Sequence, residues 1–262
     1  MLEKAFVTIA AAGALLAILA PTASAGQQYV ALGDSYSSGT GTGEYYHEPC
    51  QRSKHSYARI VARERPGTDV ILAACSGAET ADVLRDQVGS LSRETRWVSI
   101  TIGGNDAGFS RVVAECAKPG WAGHCGRRVT EARQFIRRTL PERLRSVYEV
   151  IERRAPDATV IVLSYPRLLK DTDCDAGTFF SEHEMERLND TAELLRDKTS
   201  RYARAAGQRF RFRDAIPGFA GHAVCSGNEW LNGLERSVGE SFHPNRAGHR
   251  SGYVPLVRSV MD

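Results

Sequence analysis

Three short stretches of this chain carry residue types that could do acyl-transfer chemistry together. Ser35 lies in Gly33-Asp34-Ser35-Tyr36-Ser37-Ser38-Gly39, directly after the apolar run Tyr29-Val30-Ala31-Leu32. A serine displayed where a strand meets a helix can expose its hydroxyl as a nucleophile, but it needs a general base to react near neutral pH. Two more glycine-bearing turns follow, Ser76-Gly77-Ala78 and Gly103-Gly104-Asn105-Asp106. Gly77 can present a backbone N–H with no side chain in the way, and Asn105 can donate from its side-chain amide. With the Ser35 N–H these make a set of donors for a tetrahedral oxyanion, each typically worth about 2.7–4 kcal/mol. Taken singly, each stretch reads equally well as a tight turn built from the usual turn residues.

The base has to be found among seven histidines. A surface or helix position accounts for His47, His55, His124, His183, His222 and His249. His243 differs, because Glu240-Ser241-Phe242-His243-Pro244 places it just before a proline suited to the first position of a last helix. At that edge the helix dipole disfavours imidazolium, which keeps a ring nitrogen free to take a proton. A third group often orients such a ring. Glu240 and the carbonyl of Ser241 both qualify by position. Asp34 adjoins Ser35, and adjacency turns its side chain away, so its expected role is in the turn itself.

These groups meet only if the chain brings their turns together. Tyr29–Leu32, Asp69–Ala74, Trp97–Ile102 and Ala158–Leu163 are near-continuous apolar runs, which predict strands covered on both faces. Arg209–Phe212 alternates like an edge strand. Helical patterns span His55–Arg65, Ala78–Val88, Arg127–Arg154 and His183–Ala206, and a last one runs from Pro244 towards Val260. Pro141 is expected to split or kink the third. This alternation implies an α/β fold, a parallel sheet sandwiched by helices, in one domain. Ligands bind such sheets beyond the carboxyl ends of the strands, which is where the first three runs deliver Ser35, Gly77 and Asn105. The pairs Arg127-Arg128, Arg137-Arg138 and Arg153-Arg154, interspersed with glutamates, predict a solvated helix face. Trp121 and Trp230 fall in loop-like stretches, as pocket wall or as loop anchor.

Gly33-Asp34-Ser35-Tyr36-Ser37, Ser76-Gly77, Gly103-Gly104-Asn105-Asp106 and His243-Pro244 resemble the four sequence blocks of the SGNH (GDSL-type) hydrolases, in that family's order. Within the family, the GDSYSSGTGT stretch and the six cysteines are most similar to a secreted bacterial branch of lipases, esterases and phospholipases. The resemblance implies a flavodoxin-like three-layer α/β/α fold around a mostly parallel five-stranded sheet. It implies Ser35 as nucleophile, His243 as base, and the Ser35 N–H, Gly77 and Asn105 as oxyanion hole. The implied activity is cleavage of carboxylic, fatty-acyl esters through an acyl-enzyme, with no metal and no organic cofactor. Phospholipase A or carbohydrate O-acetyl esterase activity is the alternative on the same blocks. Many members carry Asp three residues before the histidine. Here it is Glu240, and the members of the secreted branch that use a backbone carbonyl favour Ser241.

The remaining sequence bounds the setting. The 262 residues include 34 Lys+Arg against 31 Asp+Glu, a formal charge of +3 that is too mild to imply a nucleic-acid partner. Lys4, the apolar run Ala5–Ala20 and Ala23-Ser24-Ala25 read as a signal peptide over residues 1–25, removed to leave a secreted domain over 26–262. No second apolar run is long enough to span a membrane, so no stable insertion is expected, and the chain should act as a monomer on a small-molecule or lipid ester. An even cysteine count in a secreted chain implies disulfides. Sequential pairing, Cys50 with Cys75, Cys116 with Cys125 and Cys174 with Cys225, would clip one local stretch each. His124 and Cys125 could be weighed as metal ligands, but no C-x-x-C or H-x-x-x-H spacing supports them.

Overall fold

A computed structural model describes residues 27–170 and 180–262. The expected signal peptide and Cys174 lie outside the described residues. Five strands form one sheet: β1 (Gln27–Gly33), β2 (Thr68–Leu72), β3 (Thr95–Thr101), β4 (Thr159–Leu163) and β5 (Phe210–Arg213). Their order is β2-β1-β3-β4-β5 and every pairing is parallel. The central strands are buried at almost every successive position, including Val30 to Gly33 in β1 and Trp97 to Thr101 in β3. Since side chains alternate between faces, such runs require helices on both sides. The edges behave otherwise. Strand β2 alternates, leaving Ile71 39% exposed, and β5 is buried fully only at Phe210.

The helices, among the described residues, are α1 (Ser35–Ser38), α2 (Tyr57–Glu64), α3 (Thr80–Asp82), α4 (Phe109–Cys116), α5 (Cys125–Arg138), α6 (Leu140–Arg154), α7 (Glu182–Ala205), α8 (Ala215–Gly218) and α9 (Val254–Met261). Helix α2 packs against α9, while α6 packs against α3, α5 and α7. The long helices carry their own signals. Ser181 and Glu184 form a capping box at the start of α7, and Leu188, Ala192 and Leu195 repeat along its buried stripe. The Arg127–Arg154 pattern divides at Thr139, with Pro141 in the first turn of α6. Its arginine pairs lie towards solvent, and Arg128 is paired with Glu131 at 2.9 Å.

Two expectations need correction. Ala78–Val88 is not one helix: α3 gives way to a π-helical turn over Val83–Gln87 and then to a 3-10 turn. Nor does Pro244 open the last helix. It bridges to Leu231, and Asn245 caps the turn that follows, its Oδ1 accepting from the Gly248 N–H at 3.0 Å. A further π-helical stretch, Gly248–Tyr253, then leads into α9. Disulfides join Cys50 to Cys75 and Cys116 to Cys125, so Cys125 is not available as a metal ligand. Cys225 is also disulfide-bonded.

Candidate active site

Because β2, β1 and β3 are neighbours, the turns at their carboxyl ends sit side by side. Gly33 ends β1 with φ +116°, where a Cβ would meet the Thr101 carbonyl oxygen at 2.2 Å, so only glycine lets the two strand ends approach this closely. Asp34 then caps α1, its carboxylate accepting from the Tyr36 N–H at 3.1 Å. That turn leaves Ser35 5% exposed, with its hydroxyl towards the site.

The His243 Nε2 lies 2.8 Å from Ser35 Oγ, and its Nδ1 lies 2.9 Å from the Ser241 carbonyl oxygen. A carbonyl can only accept, so the ring proton belongs on Nδ1 and Nε2 is left to accept from the serine hydroxyl. Glu240 brings no carboxylate oxygen to the ring. Its carbonyl accepts from the Asn232 side chain and the His243 N–H, while its carboxylate faces Tyr45. The ring is kept neutral by burial rather than by the expected helix dipole: desolvation pulls His243 down to about 4, against weaker opposing hydrogen bonds to the Ser241 and Glu240 backbone.

The expected oxyanion donors are not spent on the protein. Ser76 and Ala78 commit their N–H groups to the carbonyls of Cys50 and Cys75, whereas among the described residues the Gly77 N–H has no protein acceptor. The same is true of the Ser35 N–H. Gly77 has φ +80° and open space where a Cβ would stand, so backbone conformation rather than crowding calls for glycine there. Asn105 gives one side-chain N–H to the Ala78 carbonyl at 3.0 Å, which fixes the amide and leaves its second N–H free.

Several of the contacts that hold this arrangement carried no sequence signal. The Asp34 carboxyl also accepts from Thr101 Oγ1 at 2.9 Å and from the Tyr165 hydroxyl in a short bond. Burial pushes Asp34 up to about 7, although these hydrogen bonds work against the shift. Tyr165 in turn accepts from the Gly104 N–H at 3.2 Å. Gln87, on the π-helical turn, clamps Gly33 from both sides, accepting from its N–H at 2.7 Å and donating to its carbonyl at 2.9 Å. Asp106 accepts from the Thr80 N–H at 2.9 Å, from Thr80 Oγ1 at 2.5 Å and from Arg143 at 2.7 Å, tying the Asn105 turn to the Gly77 turn. Tyr36 donates to the Phe242 carbonyl at 2.7 Å, and Phe242 has φ +60°, a conformation unfavourable for a non-glycine residue. His249, which the sequence left unremarkable, is fully buried; its Nδ1 accepts from the Tyr57 N–H at 3.3 Å.

A cavity of about 430 Å³ opens beside Ser35 and His243. Its wall comes from α4 and the chain after it (Phe109, Val113, Ala117), from Leu168 and Leu195, and from Leu234, Val238 and Phe242. Beyond the catalytic end it is almost wholly apolar, which suits a hydrocarbon chain rather than a sugar. Trp230 is a loop anchor, stacked on His222 with ring centroids 3.6 Å apart. Trp121 is neither wall nor anchor, being 90% exposed.

Residues 31–251 match the sequence profile of the GDSL-like Lipase/Acylhydrolase family. The chain is 43% identical over 251 residues to a lipase of Streptomyces rimosus, covering 95% of this chain and 91% of that one. It is 40% identical over 261 residues to Lipase 1 of Streptomyces coelicolor, covering 96% and 95%. The crystal structure of the extracellular S. rimosus lipase superposes with a TM-score of 0.83, covering 89% of this chain and 99% of that one at 42% identity. The crystal structure of phospholipase A1 from Streptomyces albidoflavus NA297 gives 0.84, covering 90% and 99% at 42% identity.

Proposed function

The chain belongs to the GDSL-like lipase/acylhydrolase family and is a carboxylic ester hydrolase of that type, and on this premise we propose that it cleaves fatty-acyl esters through an acyl-enzyme on Ser35. The observation that carries the reading is the Ser35–His243–Ser241 geometry. His243 Nε2, neutral and hydrogen-bonded to Ser35 Oγ, takes the hydroxyl proton as the oxygen attacks the ester carbonyl. The Ser241 carbonyl then stabilises the imidazolium through Nδ1–H, the part a carboxylate takes in a triad. The oxyanion is held by the Ser35 N–H, the Gly77 N–H and the Asn105 amide. His243 returns its proton to the leaving alcohol, and a water deprotonated by the same nitrogen releases the acid.

The substrate reading rests on the cavity. Phe109, Val113, Leu168, Leu195 and Phe242 offer an acyl chain an apolar wall, and each methylene buried there is worth about 0.8 kcal/mol. A phospholipid is the second reading, favoured by the similarity to the S. albidoflavus phospholipase A1, and it would use the same machinery. An acetyl ester would leave the cavity unfilled. Action outside the cell, after removal of residues 1–25, fits the disulfides and the likeness to an extracellular lipase. Replacing Ser35→Ala or His243→Ala should lower kcat on p-nitrophenyl octanoate by at least about 10³-fold, with the circular dichroism spectrum and Tm unchanged. Activity near the wild-type level in either variant would remove the assignment.

A further inference from the structure

Large apolar side chains exposed to solvent are few on this surface. Among the described residues they are Tyr46, Ile71, Trp121, Leu234 and Val238. Their distribution is uneven. Leu234 and Val238, 47% and 72% exposed, line the cavity and stand at its mouth. Trp121 is 90% exposed and lies four residues beyond Ala117, which lines the same cavity. Four residues reach at most about 14 Å when fully extended, and this segment is turned back on itself.

The turn that carries Trp121 is fixed. The Cys116–Cys125 disulfide closes its ends to a Cα–Cα distance of 4.4 Å. Inside it, the Pro119 carbonyl accepts from the Ala122 N–H at 2.8 Å and the Gly123 N–H at 3.1 Å, and the His124 N–H donates to the Glu115 carboxylate at 3.1 Å. Its lysine, Lys118, is paired with Glu115. The other two tryptophans are engaged: Trp97 is 7% exposed, and Trp230 stacks on His222. The disulfide-closed turn that follows the cavity-lining helix α4 therefore holds one indole out in water, and no loose loop is needed to explain its exposure. Exposed apolar side chains such as Leu234 and Val238 at an apolar cavity mark a contact surface. Indole is the side chain that settles at a lipid–water boundary, its ring among the acyl chains and its N–H among the headgroups.

We infer that Trp121, with Leu234 and Val238, is the edge by which this enzyme seats itself on the surface of aggregated lipid ester, so that an acyl chain passes from the aggregate into the cavity without crossing water. The inference rests on the ester-hydrolase reading of the site. The occupant is a lipid surface rather than another protein because two of the exposed apolar side chains, Leu234 and Val238, also line the cavity that would receive the chain. Attachment is apolar, shallow and reversible, of the kind made by side chains lying in the interface, and it needs no membrane-spanning helix.

The test uses the full mature chain carrying Ser35→Ala, so that lipid is bound but not consumed, with vesicles of phosphatidylcholine, which is zwitterionic and carries no net charge. The parent should co-sediment with the vesicles, and its tryptophan emission should shift to the blue. Adding Trp121→Ala should lower the partition coefficient about tenfold or more and abolish the shift, while Trp121→Phe should keep an intermediate partition. In the active enzyme, Trp121→Ala should leave kcat/KM on soluble p-nitrophenyl butyrate within about twofold of wild type and lower turnover of the vesicle substrate in step with binding. Partition unchanged by Trp121→Ala would overturn the inference. So would a blue shift that follows protein concentration without lipid, which would assign the indole to a second copy. A parent that turns over the soluble ester yet never binds vesicles would sink the docking edge and leave the ester-hydrolase reading standing; loss of soluble-ester turnover in the wild type would sink that reading instead.

Discussion

In the proposed mechanism Ser35 reacts only if His243 carries its proton on Nδ1, and the Ser241 carbonyl, 2.9 Å from that nitrogen, favours this tautomer. Desolvation holds that ring down to about 4, so Nε2 stays a free base well below neutrality. Protonation removes the base as pH falls. The acid limb of kcat/KM for a soluble ester should therefore fall to half near pH 4 rather than near 6.5, while Asp34, pushed up to about 7, titrates well above it. A pH–rate profile with its acid limb at 6.5 would show the ring to be solvated. The position of His243 depends in turn on its neighbours. Phe242 stands at φ +60°, and Tyr36, next to the nucleophile, holds its carbonyl. Tyr36→Phe keeps the ring that lines the cavity and removes only the hydroxyl that holds the Phe242 carbonyl, so it should lower kcat roughly 10-fold with a smaller change in KM. Equal kcat and an equal acid limb would assign Tyr36 to packing alone. The residues that meet at this site, Ser35 and His243 among them, were legible in the sequence because their motifs state residue type and spacing. A backbone angle at Phe242, or the bonds of Tyr165 and Asp34, depend on segments far apart in the chain, and no local pattern encodes them.

At the scale of elements, the proposed oxyanion donors come from separate turns that have to be locked to each other. Asp106 does this from the Asn105 turn, its buried carboxylate reaching both Thr80 groups and Arg143. Thr80→Val keeps the shape but removes the hydroxyl donor to a buried carboxylate. It should cost about 1–3 kcal/mol in urea unfolding and lower kcat more than it raises KM. A change confined to stability would mean that the two turns hold their places without it. The strands and long helices were readable because apolar runs and 3.6-residue stripes each extend over many residues. The Ala78–Val88 segment was not. Its apolar spacing suits a continuous helix, yet a π-helical turn replaces it and sets Gln87 against Gly33, a long-range bond that outweighs local pattern. Pro244 misled for a related reason. Proline favours a first helical turn, but the bridge to Leu231 holds it in the loop, and Asn245 supplies the cap.

For the molecule as a whole, β5 is an edge strand three places from β1, and the chain that follows it returns, held by the Asn232 amide on the Gly41 carbonyl, to set His243 beside Ser35, 208 residues away in sequence. The parallel sheet followed from the alternation of strands and helices. The cavity did not. Phe109 and Val113 closely follow the Asn105 turn, but Leu168 comes from the chain after β4, Leu195 from α7, and Leu234 and Val238 from the loop ahead of His243, which only the folded chain assembles. A series of p-nitrophenyl esters should show kcat/KM rising from acetyl towards octanoyl, by up to about fourfold per methylene until the cavity is filled. Preference for acetyl would reassign the cavity. The central claim, that Ser35 is a nucleophile raised by His243, is tested most directly by fluorophosphonate labelling followed by peptide mapping. The wild-type adduct should sit on Ser35, vanish in Ser35→Ala and form at least about 10²-fold more slowly in His243→Ala. An adduct on any other residue, or undiminished labelling without His243, would contradict it.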